Sequence, residues 1–462
     1  MEETKKETLL LNRDNGYDRI SAAERAEMNA YCEGYKDYLD KGRTERECVT
    51  ETVAMAEARG YRPLVRGEAL KPGDKVYRVI SNKSILLAVI GQKSMEQGAV
   101  IGGAHIDCPR LDLKPTPLYE DSELALAKTH YYGGIRKYHW VSIPLALHGV
   151  VCKADGTTVT VRIGDEAGDP VLTIPDLLPH LADKQSKEPL WQAIKGEDLN
   201  IILGSCPVPE TEEKERVKLM VLNLLNEKYG ITEADLISAE LCAVPAYHPA
   251  DVGLDRSLIG GYGQDDRVCG YAVLKALFDS EDTLQRTGIC ILTDKEEIGS
   301  YGLTGMDSAY FDIFLSDLCR AQGADLNTCI ENSFCLSVDV TAAYDPNFAY
   351  VYDTRNAARL NKGVGLCKYT GSRGKSGASD APAEVVAYAR RVLDAEGVVW
   401  QICELGKVDE GGGGTIAHYM TRRGIPTLDA GTPLLAMHSP FEVSSKLDCY
   451  MTYRAMRAFY ND

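Results

Sequence analysis

The sequence predicts an α/β fold interrupted by a β-rich insertion, and three observations carry that prediction. Short apolar runs rich in β-branched residues alternate with helical patterns toward both ends of the chain. Between about Pro115 and Pro249 the texture changes to short alternating segments set off by Gly, Asp and Pro turns. The length of 462 residues exceeds the usual size of one domain, so a second domain or a large insertion is expected. The reading places one half of an α/β domain at 1–115, the insert at 116–249, and the other half at 250–462.

The elements follow in order. Ser21-Ala-Ala-Glu24 and Thr44-Glu-Arg-Glu47 fit the capping box, in which side chains satisfy the free amides of a helix start, and Gly60 is a plausible stop for the second helix. Ile85–Ile90 and Ala99–Ala104 read as buried strands, the second ending at His105 and Asp107. Within the insert, Thr157–Ile163 alternates as a strand does, and Glu210–Tyr229 reads as a helix. A helix is expected from Asp265 through Phe278, then buried strands at Gly288–Leu292 and Phe334–Val340, then helix and strand alternating from Ala381 to Asp429.

Composition narrows the function classes. An apolar fraction of 44% supports a sizeable core, and a net charge of −17 makes nucleic acid and anionic membrane surfaces poor partners. The fourteen cysteines are dispersed without a CxxC pair, and the N-terminus has no apolar signal core, so reduced and mostly buried thiols in a cytoplasmic protein are expected. No run of about twenty apolar residues suggests a membrane span.

Five short segments carry chemistry: Ala-His-Ile-Asp-Cys-Pro (104–109), Gly-Gln-Asp-Asp-Arg-Val (263–268), Thr-Asp-Lys-Glu-Glu-Ile-Gly-Ser (293–300), Ser-Val-Asp-Val (337–340) and Ala-Met-His-Ser (436–439). Each sits at an expected strand-to-loop or loop-to-helix junction, the edge at which open α/β sheets bind ligands. Two divalent ions a few ångströms apart need a shared carboxylate, further ligands for each ion, and a free base for the attacking water. Asp265 suits the bridge, His105 and His438 supply imidazoles, and Glu297 and Asp339 supply terminal carboxylates. Imidazole and carboxylate without thiolate suit zinc, and also cobalt or manganese. Glu296, beside Glu297 but pointing elsewhere, is the candidate general base, and Asp107 could fix the orientation of His105 by hydrogen bonding its second nitrogen.

The segment His105-Ile-Asp-Cys-Pro-Arg-Leu-Asp-Leu-Lys-Pro115 resembles the His-x-Asp-Ser-Pro…Lys-Pro motif of the aspartyl aminopeptidases, peptidase family M18. Tyr132-Gly-Gly, Ile174-Pro-Asp-Leu-Leu-Pro-His180-Leu, Glu296-Glu-Ile-Gly-Ser300, Gly413-Gly-Thr-Ile416 and Met437-His-Ser…Glu442 extend the likeness over nearly the whole chain. The resemblance implies a mixed-sheet α/β catalytic domain with an inserted β-rich domain. It also implies a two-metal aminopeptidase that removes N-terminal Asp or Glu from peptides, and a homo-oligomer, a dodecamer built from dimers. It assigns His105, Asp265 and Asp339 to one ion, Asp265, Glu297 and His438 to the other, and Glu296 as base. From the resemblance alone come two substrate-binding residues: His180, which would complete a neighbouring subunit's site, and Lys368.

The chain departs from the family around its ligands. The segment after the fourth ligand is Asp339-Val-Thr-Ala342, without the family's substrate-side histidine, and Gln264-Asp-Asp-Arg267 is closer to the related M42 type. Ser142-Ile-Pro-Leu145 and the stretch after Lys368 also differ. The metal ligands match, whereas the surround that would select a substrate is altered. An amidohydrolase with the same metal site, or a scaffold without activity, are the alternative readings. His130, His139, His148, His248 and His418 match no motif and read as structural or surface histidines.

Overall fold

The computed structural model describes residues 9–11, 14–209 and 214–462. The chain opens with helices α1 (Ala22–Lys41) and α2 (Glu45–Glu57). Ser21 and Glu24 form the full capping box at α1. At α2 only half of it forms. The Thr44 hydroxyl accepts from the Glu47 amide, while the other oxygen of the Glu47 carboxylate lies 2.9 Å from Nδ1 of buried His148. The second helix ends three residues before Gly60, which takes a positive φ of 86°.

Strands β1 (Arg62–Pro63), β2 (Lys75–Ile80), β3 (Ser84–Val89) and β4 (Ala99–His105) come next. The insert contributes β5 (Arg110–Asp121), β6 (Leu124–Tyr132), β7 (Leu145–Cys152), β8 (Thr158–Ile163), β9 (Ile201–Gly204), α3 (Arg216–Tyr229) and β10 (Ala239–Pro245). The positions 210–213 of the expected helix lie outside the described residues. Then follow β11 (Ala250–Val252), β12 (Leu258–Gly261), α4 (Gln264–Phe278), β13 (Thr287–Thr293), α5 (Tyr310–Ala321), α6 (Leu326–Asn332), β14 (Phe334–Val338) and β15 (Thr341–Ala342). The chain closes with β16 (Val364–Cys367), α7 (Ala383–Ala395), β17 (Trp400–Ile402), α8 (Ala417–Arg422), β18 (Thr427–Gly431), β19 (Pro433–Leu435), β20 (Glu442–Ser445) and α9 (Lys446–Asn461).

A nine-stranded mixed sheet in the order β1-β2-β3-β13-β4-β14-β18-β16-β17 forms the frame. Its centre, β13-β4-β14-β18, is parallel. Both faces are covered, which explains the unbroken apolar runs. Alternate side chains of β3 and β13 point to opposite sides. Leu87, Val89, Cys290 and Leu292 pack with α1, α4 and α9, whereas Leu86, Ala88, Ile289 and Ile291 pack with α5. Gly102 in β4 permits close packing, because a Cβ there would stand 2.7 Å from Met456 and Val273 of two covering helices.

The insert's strands make a six-stranded antiparallel sheet, β8-β7-β10-β5-β6-β9, around its own apolar cluster including Trp140, Leu147 and Val161. Strand β5 begins at Arg110 and runs through position 115, with its register to β6 shifting between Leu113 and Leu118. A third sheet, β11-β12-β20-β19-β15, carries the final functional loop. All fourteen cysteines are free thiols, eleven of them buried. Among the described residues no helix is long and apolar enough to cross a membrane.

Candidate metal centre

The central parallel strands end at one edge, and that edge gathers the five segments. His105 is the last residue of β4, Asp339 follows β14, and Glu296 and Glu297 sit in the turn after β13. Asp265 stands in the first turn of α4, and His438 lies in the loop joining β19 to β20. Parallel strands set side by side thus bring together residues far apart in sequence.

Asp265 faces an imidazole with each oxygen. Its Oδ1 lies 3.2 Å from His105 Nε2 and its Oδ2 lies 3.2 Å from His438 Nε2. His438 Nε2 is also 3.5 Å from Glu297 Oε2, and His105 Nε2 is 3.8 Å from Glu296 Oε2. Ligand atoms of His105, Glu296 and Asp339 fall within 4.8 Å of one another, as do those of His105, Asp265 and Glu297, and of Asp265, Asp266 and Asp339.

The electrostatics fit bound cations. Burial, reinforced by neighbouring carboxylates, pushes Glu296 up to about 7 and holds Glu297 and Asp339 well above the usual carboxylate range. Oε1 of Glu297 is buried without a hydrogen-bond partner. A crowd of buried carboxylates with spare lone pairs and two imidazoles is a donor set for divalent metal.

The imidazoles are oriented from behind. His438 Nδ1 lies 2.9 Å from the Gly134 carbonyl, and His105 Nδ1 lies 3.0 Å from the Asp107 carbonyl and 3.3 Å from its carboxylate. The Asp107 side chain has a larger task than its sequence position suggested. Its Oδ1 accepts the Glu296 amide at 3.1 Å and its Oδ2 accepts the Glu297 amide at 3.2 Å. The Tyr132 hydroxyl donates to the same carboxylate at 2.7 Å. Asp107 therefore holds the turn that presents both glutamates. Asp107→Asn, which puts a donor where an acceptor is needed, is expected to lower kcat about tenfold to a hundredfold while the protein stays folded. Steady-state kinetics beside a metal assay check this; an unchanged kcat would mean the turn holds its shape unaided.

Two buried carboxylates were not singled out from the sequence. Glu442, 1% exposed, accepts the Asp265 amide at 3.1 Å through Oε2 and the His438 amide at 2.8 Å through Oε1. It ties two ligand segments together, and burial beside Asp265 pushes it up to about 8. Asp266 accepts the His105 amide at 3.3 Å and the Val340 amide at 3.2 Å, linking the ends of β4 and β14. Its signal in sequence was only its place beside Asp265. Glu442 had a faint one, as the last residue of the final motif.

The family model described as "Aminopeptidase I zinc metalloprotease (M18)" matches residues 38–460. The chain belongs to the M18 aminopeptidase family. It is 48% identical over 462 residues to a probable M18 family aminopeptidase 1 of Clostridium acetobutylicum, a match covering 98% of this chain and 99% of that protein. The crystal structure of an M18 aminopeptidase from Thermotoga maritima superposes with a TM-score of 0.93 at 46% identity, covering 98% of this chain and 99% of that one. The Saccharomyces cerevisiae mApe1 dodecamer shares the fold at a TM-score of 0.77 and 20% identity, covering 94% of this chain and 97% of that one. As an M18 member this chain is a metalloaminopeptidase of the zinc-dependent kind, and the scaffold reading falls away.

In this M18 aminopeptidase the centre opens into a cavity of about 370 Å³. His105, Asp265, Glu296, Glu297, Asp339 and His438 line it, together with Tyr369, Arg373, Lys375, Glu404, Lys407 and the Gly411–Gly414 run. Lys368 does not line this cavity; its ammonium pairs with Asp380 at 2.9 Å. Nearby Arg373 and Lys375 line the cavity, Lys375 while also pairing with Asp380 at 3.2 Å. His180 is exposed on a short turn of the insert, Pro179–Leu181, and does not line its own chain's cavity. His418 is exposed and does not line the cavity either.

Proposed function

We propose that this M18 member removes the N-terminal residue of peptides at a centre of two divalent ions. His105, Asp265 and Asp339 would hold one, and Asp265, Glu297 and His438 the other. The single observation that carries this is Asp265, whose two oxygens each stand 3.2 Å from a different imidazole, as a shared ligand requires. The bound ions would polarise the scissile carbonyl and lower the pKa of the attacking water.

The chain's own groups do the rest. Oε2 of Glu296, at the cavity wall and 3.8 Å from His105, takes the proton of the attacking water. Its elevated pKa suits a group that must hold that proton and then return it to the leaving amine. Asp107 and Glu442 fix the backbone of the residues around it and so reduce reorganisation during the reaction.

Preference for an acidic first residue draws support from the cations in the cavity lining. There Arg373 and Lys407 outnumber the carboxylate of Glu404, while Lys375 is held by Asp380 at 3.2 Å. Assembly into a homo-oligomer draws support from the insert, where Val171, Leu177, Leu178, Leu181, Leu190 and Trp191 are exposed large apolar side chains. That surface carries His180, which would reach a site only across such an interface. The catalytic parts at 1–115 and 250–462 and the insert at 116–249 then divide the labour between chemistry and assembly.

A fluorogenic aminoacyl panel run with zinc, cobalt and manganese in turn tests the reading. Free aminoacyl substrates with Asp or Glu are expected to be cleaved fastest, with no turnover of N-acetyl amino acids. Faster cleavage of the acetylated set would favour an amidohydrolase. Equal rates for acidic and neutral residues would remove the acidic preference while leaving the aminopeptidase in place.

A further inference from the structure

Beside the metal centre lies a pair of thiols that the peptidase reaction does not use. Cys367 ends β16 and Cys403 follows β17. These strands are parallel neighbours in the register Val364↔Trp400, Gly365↔Gln401, Leu366↔Ile402, so the next pair in line is Cys367 and Cys403. The Cys403 amide donates to the Leu366 carbonyl at 3.0 Å, which keeps that register to the end. Directly paired strand residues point to the same face. Accordingly, the two sulfurs stand 2.9 Å apart as free thiols. Cys403 is 1% exposed, whereas Cys367 is partly exposed and lines the catalytic cavity.

We propose that Cys367 and Cys403 form an oxidation site at the wall of the substrate cavity, where a peroxide converts the dithiol to a disulfide and weakens substrate binding. The Cys367 thiol, held protonated by its contact with Cys403 and by burial, gives up its proton as its sulfur attacks one peroxide oxygen; the O–O bond breaks, the departing oxygen takes up a proton and leaves as water, and a sulfenic acid forms. The Cys403 sulfur then attacks that sulfur, making the S–S bond and releasing a second water. The two thiols give up two electrons and two protons, and hydrogen peroxide becomes two waters. Closing from 2.9 Å to a bond length of about 2.0 Å is a small movement for paired strand ends.

The consequence follows from what adjoins each cysteine. Tyr369 lies two residues beyond Cys367, and Glu404 directly follows Cys403. The Tyr369 hydroxyl donates to the Glu404 carboxylate at 2.6 Å, and both side chains line the cavity. Drawing the strand ends together displaces this joint, whose hydrogen bond joins Tyr369 to Glu404 and not to the proposed metal ligands.

The zinc-loaded enzyme treated with hydrogen peroxide tests the site in two independent readouts. Peptide mapping under non-reducing conditions is expected to recover a Cys367–Cys403 cross-link, whatever the substrate preference proves to be. The cross-linked enzyme is expected to lose at least threefold in kcat/KM, mainly through KM, with zinc content unchanged and with recovery on adding dithiothreitol. Cys403→Ala is expected to keep the activity of the reduced enzyme and to resist peroxide, with Cys403→Ser as the second variant should the first not fold. Cys319 and Cys329 also contact each other, but both are buried in the core away from the cavity, and mapping separates them. Absence of the Cys367–Cys403 cross-link, an unchanged kcat/KM in the cross-linked enzyme, or equal peroxide loss in the variants would overturn the proposal.

Discussion

Glu296→Gln is expected to leave the protein folded and metal-loaded while kcat falls by about a hundredfold to ten-thousandfold, the usual contribution of a positioned general base. Glutamine matches glutamate in size but cannot accept the proton of the attacking water. The change disturbs little else. The backbone amide of Glu296 remains bonded to Asp107, and its side chain borders the cavity rather than the core. Removing a raised carboxyl from a crowd of carboxylates also relieves repulsion, so thermal stability of the metal-free protein should not fall. Single-turnover kinetics beside metal analysis gives the answer. A variant turning over within tenfold of the parent would rule Glu296 out as the base.

Asp265→Asn is expected to abolish activity by a different route, through loss of metal. Both oxygens of Asp265 face an imidazole at 3.2 Å, and an amide can present an acceptor to only one of them. Zinc should stabilise the parent against heat, since a ligand that binds only the folded state adds about 4 kcal/mol at a thousandfold excess over its Kd. In Asp265→Asn that zinc-dependent rise in melting temperature should vanish, and the metal content after dialysis should drop below that of the parent. If the variant kept its full metal content and the same rise, Asp265 would not be the shared ligand. The two experiments separate proton transfer from metal retention, which a simple loss of activity cannot do.

Several of the candidate ligands stand out in sequence because they belong to a compact local signature. A buried apolar run ends, and a His, a Glu pair or an Asp follows within a few residues, as at His105, Glu296-Glu297 and Asp339. Apolar periodicity and length identify such strands without knowledge of their neighbours. The residues behind the site lacked such a signature. Glu442 begins β20, and nothing nearby in sequence says that its carboxylate bonds the amides of Asp265 and His438. The thiol pair is a product of register between β16 and β17, whose paired residues are separated by 36 positions. Lys368 reads as a substrate group by motif, yet after β16 it is Arg373 and Lys375 that line the cavity, while Lys368 and Lys375 both pair with Asp380.

By itself the sequence determined which residue types of this M18 aminopeptidase are able to carry chemistry. Imidazoles and carboxylates able to bind metal stand at the ends of strands whose apolar pattern requires burial on both faces. The tertiary structure alone decided which carboxylates face the imidazoles and which bond the backbone behind them. It also decided which cations line the cavity and which two thiols meet. The physical reason is that hydrogen bonds, ion pairs and thiol contacts act over about 3 to 4 Å. Residues separated by hundreds of positions come within that range only after sheet order and register have been set.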